Sequence, residues 1–194
     1  MADILEIRWH GRGGQGAKTA ALLMGESAAE AGKYVQAFPE YGPERMGAPV
    51  TAYNRISDNP IRLHCSVENP KYVIVLDPTF FGAVDFTSGI KDGGAILINT
   101  PESPAEWKEK LAITGKDIRI YTVDASKISK EEVGGNFPNT PMLGALIKVT
   151  GVLPEDEALD AIGSKLAVKF RNKPELVDRN LKAIKRSFEE VQSE

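Results

Sequence analysis

Three glycines, Gly11, Gly13 and Gly16, satisfy the pattern Gly-x-Gly-x-x-Gly, and the residues among them indicate what such a turn could do. Glycines let the backbone turn tightly and let its amide N–H groups approach a phosphate at the positive end of a following helix. Arg12 and Lys18 add cations, while Gln15 and Thr19 add hydrogen-bonding side chains. The local chemistry therefore favours an anionic ligand.

The pattern admits more than one ligand. A dinucleotide site expects an acidic residue about 20 residues on, at the end of the second strand, to hold a ribose hydroxyl. Here that stretch reads Val35-Gln36-Ala37-Phe38, with Glu40 only beyond Pro39. The adjacent Lys18 and Thr19 lack the spacing of a Walker loop, so ATP hydrolysis is not supported. A plainer reading makes the glycines a strand-to-helix turn with Arg12 and Lys18 in solvent.

Other residues carry weaker signals. Tyr41-Gly42-Pro43-Glu44-Arg45 could set a carboxylate and a guanidinium at a site mouth, or form a docking loop held by a local Glu–Arg pair. His10 has no acidic or histidine neighbour in sequence, which makes it a poor base or metal ligand, and packing is the expected role. Cys65 reads as a small buried hydrophobe. Asn139 or Thr140 could cap the helix that follows, with Pro141 at its first position, or present a second helix start to a ligand or partner.

The elements around these residues suggest an α/β protein. Ile4–Trp9 alternates apolar and charged residues before the glycines, and Ala17, Ala20, Ala21, Met24, Ala28 and Ala31 then recur at helical spacing, with Gly32 as a C-cap. Val50–Ile56 and Ile61–Cys65 flank Ser57-Asp58-Asn59-Pro60 and read as a β-hairpin. Tyr72–Leu76, Ala95–Ile98 and Ile118–Val123 read as buried strands. Met142–Val149, Glu155–Leu166 and Glu175–Val191 read as helices, the last with Val177, Leu181, Ile184, Phe188 and Val191 on one stripe. The expected fold is a three-layer α/β/α Rossmann-like sandwich, its sheet mostly parallel but mixed by a hairpin, in a single domain over 1–194.

Composition excludes several functions. Against 24 Lys and Arg stand 27 Asp and Glu, a formal charge of -3, and no basic run offers a nucleic-acid footprint. The sequence shows neither a signal peptide nor an apolar stretch of about 18 residues, which predicts a cytoplasmic protein with no membrane partner. A single cysteine cannot supply the four thiolates that an iron–sulfur cluster usually takes.

Taken together, Glu6-Ile7-Arg8-Trp9-His10-Gly11-Arg12-Gly13-Gly14-Gln15-Gly16-Ala17, Tyr34-Val35-Gln36-Ala37-Phe38-Pro39-Glu40-Tyr41-Gly42, Glu44-Arg45-x-Gly47-Ala48-Pro49 and Asn139-Thr140-Pro141-Met142-Leu143-Gly144-Ala145 resemble the gamma subunit of the 2-oxoacid:ferredoxin oxidoreductases, pyruvate:ferredoxin oxidoreductase above all. The resemblance runs from about Ile4 to the last helix. The run Glu44-Arg45-x-Gly47-Ala48-Pro49 is closer to the pyruvate and branched-chain members.

That resemblance implies oxidative decarboxylation of a 2-oxoacid with coenzyme A to an acyl-CoA, carbon dioxide and reduced ferredoxin. It implies alpha, beta and delta subunits as partners, with ferredoxin as acceptor, and places thiamine diphosphate, Mg2+ and [4Fe-4S] clusters in other subunits. On this reading Gly11, Arg12, Gly13, Gly14, Gln15, Gly16, Lys18 and Thr19 are a candidate coenzyme A phosphate site. Tyr41, Glu44, Arg45, Asn139 and Thr140 are candidate interface residues, and no catalytic or metal-binding residue is expected. The alternatives are a stand-alone Rossmann-like nucleotide-binding protein and a purely structural adaptor.

Overall fold

A computed structural model describes residues 4–40 and 47–194. Among the described residues seven strands form one mixed sheet in the order β2-β3-β1-β4-β5-β6-β7. They are β1 (Leu5–Arg12), β2 (Tyr34–Glu40), β3 (Pro49–Ser57), β4 (Tyr72–Val75), β5 (Gly94–Asn99), β6 (Ile118–Val123) and β7 (Gln192–Ser193). Between and after them come α1 (Ala17–Glu30), α2 (Pro104–Leu111), α3 (Ala125–Glu132), α4 (Asn139–Thr150), α5 (Glu155–Lys169) and α6 (Glu175–Glu190).

β1, β4, β5 and β6 are parallel neighbours, whereas β3 runs antiparallel to both β1 and β2. The mixed sheet and its hairpin agree with the expectation, but the hairpin is a different one. β3 pairs with β2, and Ile61–Cys65 forms no strand. The reason is that both edges of β3 are taken, so the chain after Ser57-Asp58-Asn59-Pro60 has no edge to join. It is held instead by Arg55, whose guanidinium donates to the carbonyls of Cys65 (2.8 Å) and Ser66 (3.0 Å). Cys65 is therefore exposed, not buried as its type suggests.

The larger core lies where α1, α3, α4, α5 and α6 cover one face of the sheet. α1 sits close because its inward residues are small: a Cβ added at Gly25 would come 2.9 Å from Cβ of Ala37 on β2. The α1 chain ends with Gly32 at φ +80, a conformation that suits glycine just past a helix. α6 buries Ile184 and Phe188 and packs Val177, Leu181 and Val191 against the same core, as its stripe predicts. The opposite face is thinner, with Val73, Val75, Ile96, Ile98 and Ile120 covered by α2 and by a largely irregular segment carrying Phe86 and Ile90. α2 earns its place with little apolar surface: a capping box, Ser103 with Glu106, starts it and Trp107 anchors it.

Candidate functional site

β1 lies at the point where the sheet changes direction. From β1 the chain crosses through α1 to β2 on one side, while β4, β5 and β6 follow on the other. In open α/β sheets the crevice outside the strand ends at such a point is the usual ligand site. The glycine loop occupies one wall of it, and the corner that follows β4 occupies the other.

β1 runs further than its apolar pattern suggests, so Gly11 and Arg12 are strand residues paired with Val50 and Pro49. Gly11 is buried because a Cβ there would meet Ala17 at 3.3 Å and Leu76 at 3.5 Å. Gly14 (φ +97) and Gly16 (φ +86) take left-handed backbone that other residues resist. Gly16 is the N-cap of α1, and among the described residues no side chain caps that helix. Its first-turn amides thus keep their capacity for an anion, at the positive end of the helix dipole. Lys18 and Thr19 stand on this first turn, Lys18 exposed.

Asn139 and Thr140 come to the same place. A Cβ on Gly16 would stand 2.9 Å from Cγ of Asn139, so the starts of α1 and α4 touch. α4 begins at Asn139 with Pro138 as its N-cap, and neither Asn139 nor Thr140 caps it. Pro141 sits at the third helical position rather than the first. From this junction a cleft of about 520 Å³ runs between α1, α4, α5 and α6, with Thr19, Asn139 and Thr140 at one end and Lys165 and Lys169 beyond. Tyr41, Glu44 and Arg45 fall outside the described residues.

The other wall was not legible in the sequence. Asp77, just after β4, accepts from Nε of Arg12 (2.8 Å) and Nε2 of Gln15 (2.9 Å). Burial pushes the Asp77 carboxyl up, yet hydrogen bonds from Thr79, Arg12 and Gln15 outweigh it and hold the group below its ordinary value. Asp77 is thus a carboxylate at neutral pH. A local sign existed, since an aspartate directly before Pro78 suits a turn, but its partners are distant in sequence.

His10 points to the thin face of the sheet, with its ring 5.3 Å from that of Phe86. Burial, helped by the nearby Arg8 charge, lowers its pKa to about 3. The imidazole is neutral and supplies no charge to a phosphate, in line with a packing role. On the same face Glu40 ends β2, and its carboxylate accepts from the Tyr53 hydroxyl (2.5 Å). It lies two strands from β1, about 10 Å at ordinary strand spacing, because β3 intervenes. The dinucleotide arrangement, with its acidic strand beside the glycine loop, is therefore not the one built here.

Comparison with known proteins adds to this geometry. The family described as "Pyruvate ferredoxin/flavodoxin oxidoreductase" matches residues 6–190. The chain belongs to this family. Among its relatives, "Pyruvate synthase subunit PorC" of Thermotoga maritima is 47% identical over 188 residues, spanning 96% of this chain and 94% of the relative. "Pyruvate/ketoisovalerate oxidoreductases common subunit gamma" of Thermococcus litoralis is 44% identical over 188 residues, covering 97% of each. The crystal structure of the pyruvate oxidoreductase subunit PORC from Thermotoga maritima superposes with a TM-score of 0.84 at 44% identity, over 98% of both chains. A 2-oxoglutarate:ferredoxin oxidoreductase chain from Magnetococcus marinus shares the fold at 21% identity (TM-score 0.75), with 31% of its length matched.

The mixed α/β fold expected from the sequence is the one this chain shares with the PORC structure. Among the described residues no helix is long and apolar enough to cross a membrane.

Proposed function

We propose that the chain is the gamma subunit of a 2-oxoacid:ferredoxin oxidoreductase of the pyruvate type, and that its share of the reaction is to hold a phosphate of coenzyme A at the start of α1. The whole enzyme would take a 2-oxoacid, coenzyme A and two oxidised ferredoxins to an acyl-CoA, carbon dioxide, a proton and two reduced ferredoxins. The observation that carries the binding role is the N-terminus of α1 behind Gly16, which no described side chain caps and whose amides, with Lys18 and Thr19, suit an anion. Gly11, Arg12, Gly13, Gly14 and Gln15 shape that loop.

The substrate class is taken from the relatives above, which are pyruvate and ketoisovalerate proteins. The residues present suit a division of labour: a single cysteine cannot by itself supply the four thiolates that an iron–sulfur cluster usually takes. Electron transfer and the carbon chemistry would belong to alpha, beta and delta partners carrying thiamine diphosphate, Mg2+ and [4Fe-4S] clusters. Tyr41, Glu44, Arg45, Asn139 and Thr140 are the residues proposed to face those partners. A cytoplasmic site of action suits this role.

The test is kinetic. In the reconstituted complex, Lys18→Ala and Gly16→Ala should each raise KM for coenzyme A while KM for the 2-oxoacid stays near that of the unmodified enzyme. Unchanged coenzyme A kinetics in both variants would instead favour a structural adaptor.

A further inference from the structure

The contact between the glycine loop and the corner after β4 is rich in polar groups, and Arg12 uses all three guanidinium nitrogens, two on that corner and one on the chain before β3. Nε donates to Oδ2 of Asp77 (2.8 Å), Nη1 to the carbonyl of Gly47 (2.9 Å) and Nη2 to Oγ1 of Thr79 (3.0 Å). The same guanidinium lies over the Phe80 ring, 4.3 Å from its centroid. Gln15 closes a second circuit: its Oε1 accepts from the Arg12 backbone N–H (2.9 Å), and its Nε2 donates to Oδ2 of Asp77 (2.9 Å). The other Asp77 oxygen accepts from the Thr79 N–H (3.0 Å) and hydroxyl (2.5 Å).

A buried carboxylate beside a phosphate site works against the anion unless it does something else. The Asp77 side chain is 7% exposed and that of Arg12 is 40% exposed. For Arg12 to swing out to a phosphate, it would leave Asp77 without its cation, facing a ligand of like charge. The fork of Arg12 also matches three acceptors on two different segments at once, a geometry that the single ammonium of lysine does not reproduce.

We propose that Arg12 and Asp77 act as a pair of positioning residues, which hold the backbone of the glycine loop in its anion-binding shape, and that Arg12 is not itself a phosphate ligand. Arg12 also ties the loop to the chain before β3 through Gly47, beside the Gly13 N–H that donates to the Ala48 carbonyl (3.0 Å). This rests on the coenzyme A reading of the α1 start given above, and deepens it.

The two roles predict opposite signs for one substitution. In the assembled enzyme, Asp77→Asn removes the charge that engages Arg12 yet keeps a side chain able to meet Thr79. If the pair positions the loop, Asp77→Asn and Arg12→Gln each raise KM for coenzyme A by about tenfold, and the double variant is no worse than the poorer single one. Arg12→Lys, which keeps the charge but loses the fork, then does as badly as Arg12→Gln. If Arg12 were a phosphate ligand, Asp77→Asn would lower KM for coenzyme A or leave it unmoved, and Arg12→Lys would largely retain binding. That result would overturn the proposal.

KM for the 2-oxoacid, measured alongside, shows whether a variant has lost assembly rather than loop shape. The underlying reading fails separately: if Lys18→Ala and Gly16→Ala also leave KM for coenzyme A unmoved, the ligand is elsewhere. If those two raise it while the Arg12 and Asp77 variants do not, only the positioning role is wrong.

Discussion

A Cβ atom on Gly16 would stand 2.9 Å from Cγ of Asn139, so the first turns of α1 and α4 are in contact although a long stretch of chain separates them. Gly16 is held by two constraints at once, its left-handed backbone and this neighbour. Gly16→Ala should cost about 1–3 kcal/mol through strain alone, read as a drop in the midpoint of chemical unfolding. Gly14→Ala shares the positive φ but meets none of the described residues within 4 Å, so it should cost less.

The contact between α4 and α6 makes a second prediction. A Cβ on Gly144 would come 2.2 Å from Oγ of Ser187 and 3.0 Å from the Ile184 carbonyl. Gly144→Ala forces the two helices apart, and thermal melting should show Tm lowered by about 3–10 °C, from roughly 1–3 kcal/mol in a chain of this size. An unchanged Tm would mean that the helices pack less tightly than described.

Buried His10 gives a pH dependence. Its folded pKa is near 3, below the usual 6.5, so the unfolded chain takes a proton that the folded one refuses. Stability is then undiminished above about pH 6.5 and falls as pH drops, by up to about 1.4 kcal/mol per unit. Asp77 and Asp85, whose folded values are lowered, hold their full contributions above the ordinary carboxylate range and lose them as pH falls from that range through the lowered values. Between pH 6.5 and 4, His10→Leu should flatten the slope. An identical slope in that variant would contradict a buried neutral imidazole.

Arg55 offers a test of the segment that replaced the expected hairpin. Its side chain is 1% exposed and pairs with Glu6 at 3.0 Å, besides holding the Cys65 and Ser66 carbonyls. Removing one partner of a buried pair costs about 3–5 kcal/mol. Arg55→Met should therefore destabilise the chain and let limited proteolysis cut within residues 60–66 sooner than in the unmodified protein.

Much of this was readable in the residues. The Ala17–Ala31 spacing and the Val177–Val191 stripe gave helices because each has one face to bury. The glycine loop fell between strand and helix as its pattern requires. The insertion of β3 between β1 and β2 was not readable, because strand order is set by which edges are vacant and not by alternation. Asp77 was missed for a related cause: Leu76-Asp77-Pro78-Thr79 states a turn, while its charge partner lies on another strand. α2 and α3 are short and carry few apolar residues, although Ser103 and Glu106 at capping-box spacing marked the start of α2.

The most direct measurement of the central claim is a crystal structure of the assembled enzyme with coenzyme A bound. Phosphate oxygens of the ligand should lie within about 3.2 Å of backbone N–H groups at the start of α1, with Lys18 alongside. Coenzyme A bound with every phosphate on other subunits, and the α1 start unengaged, would contradict the account.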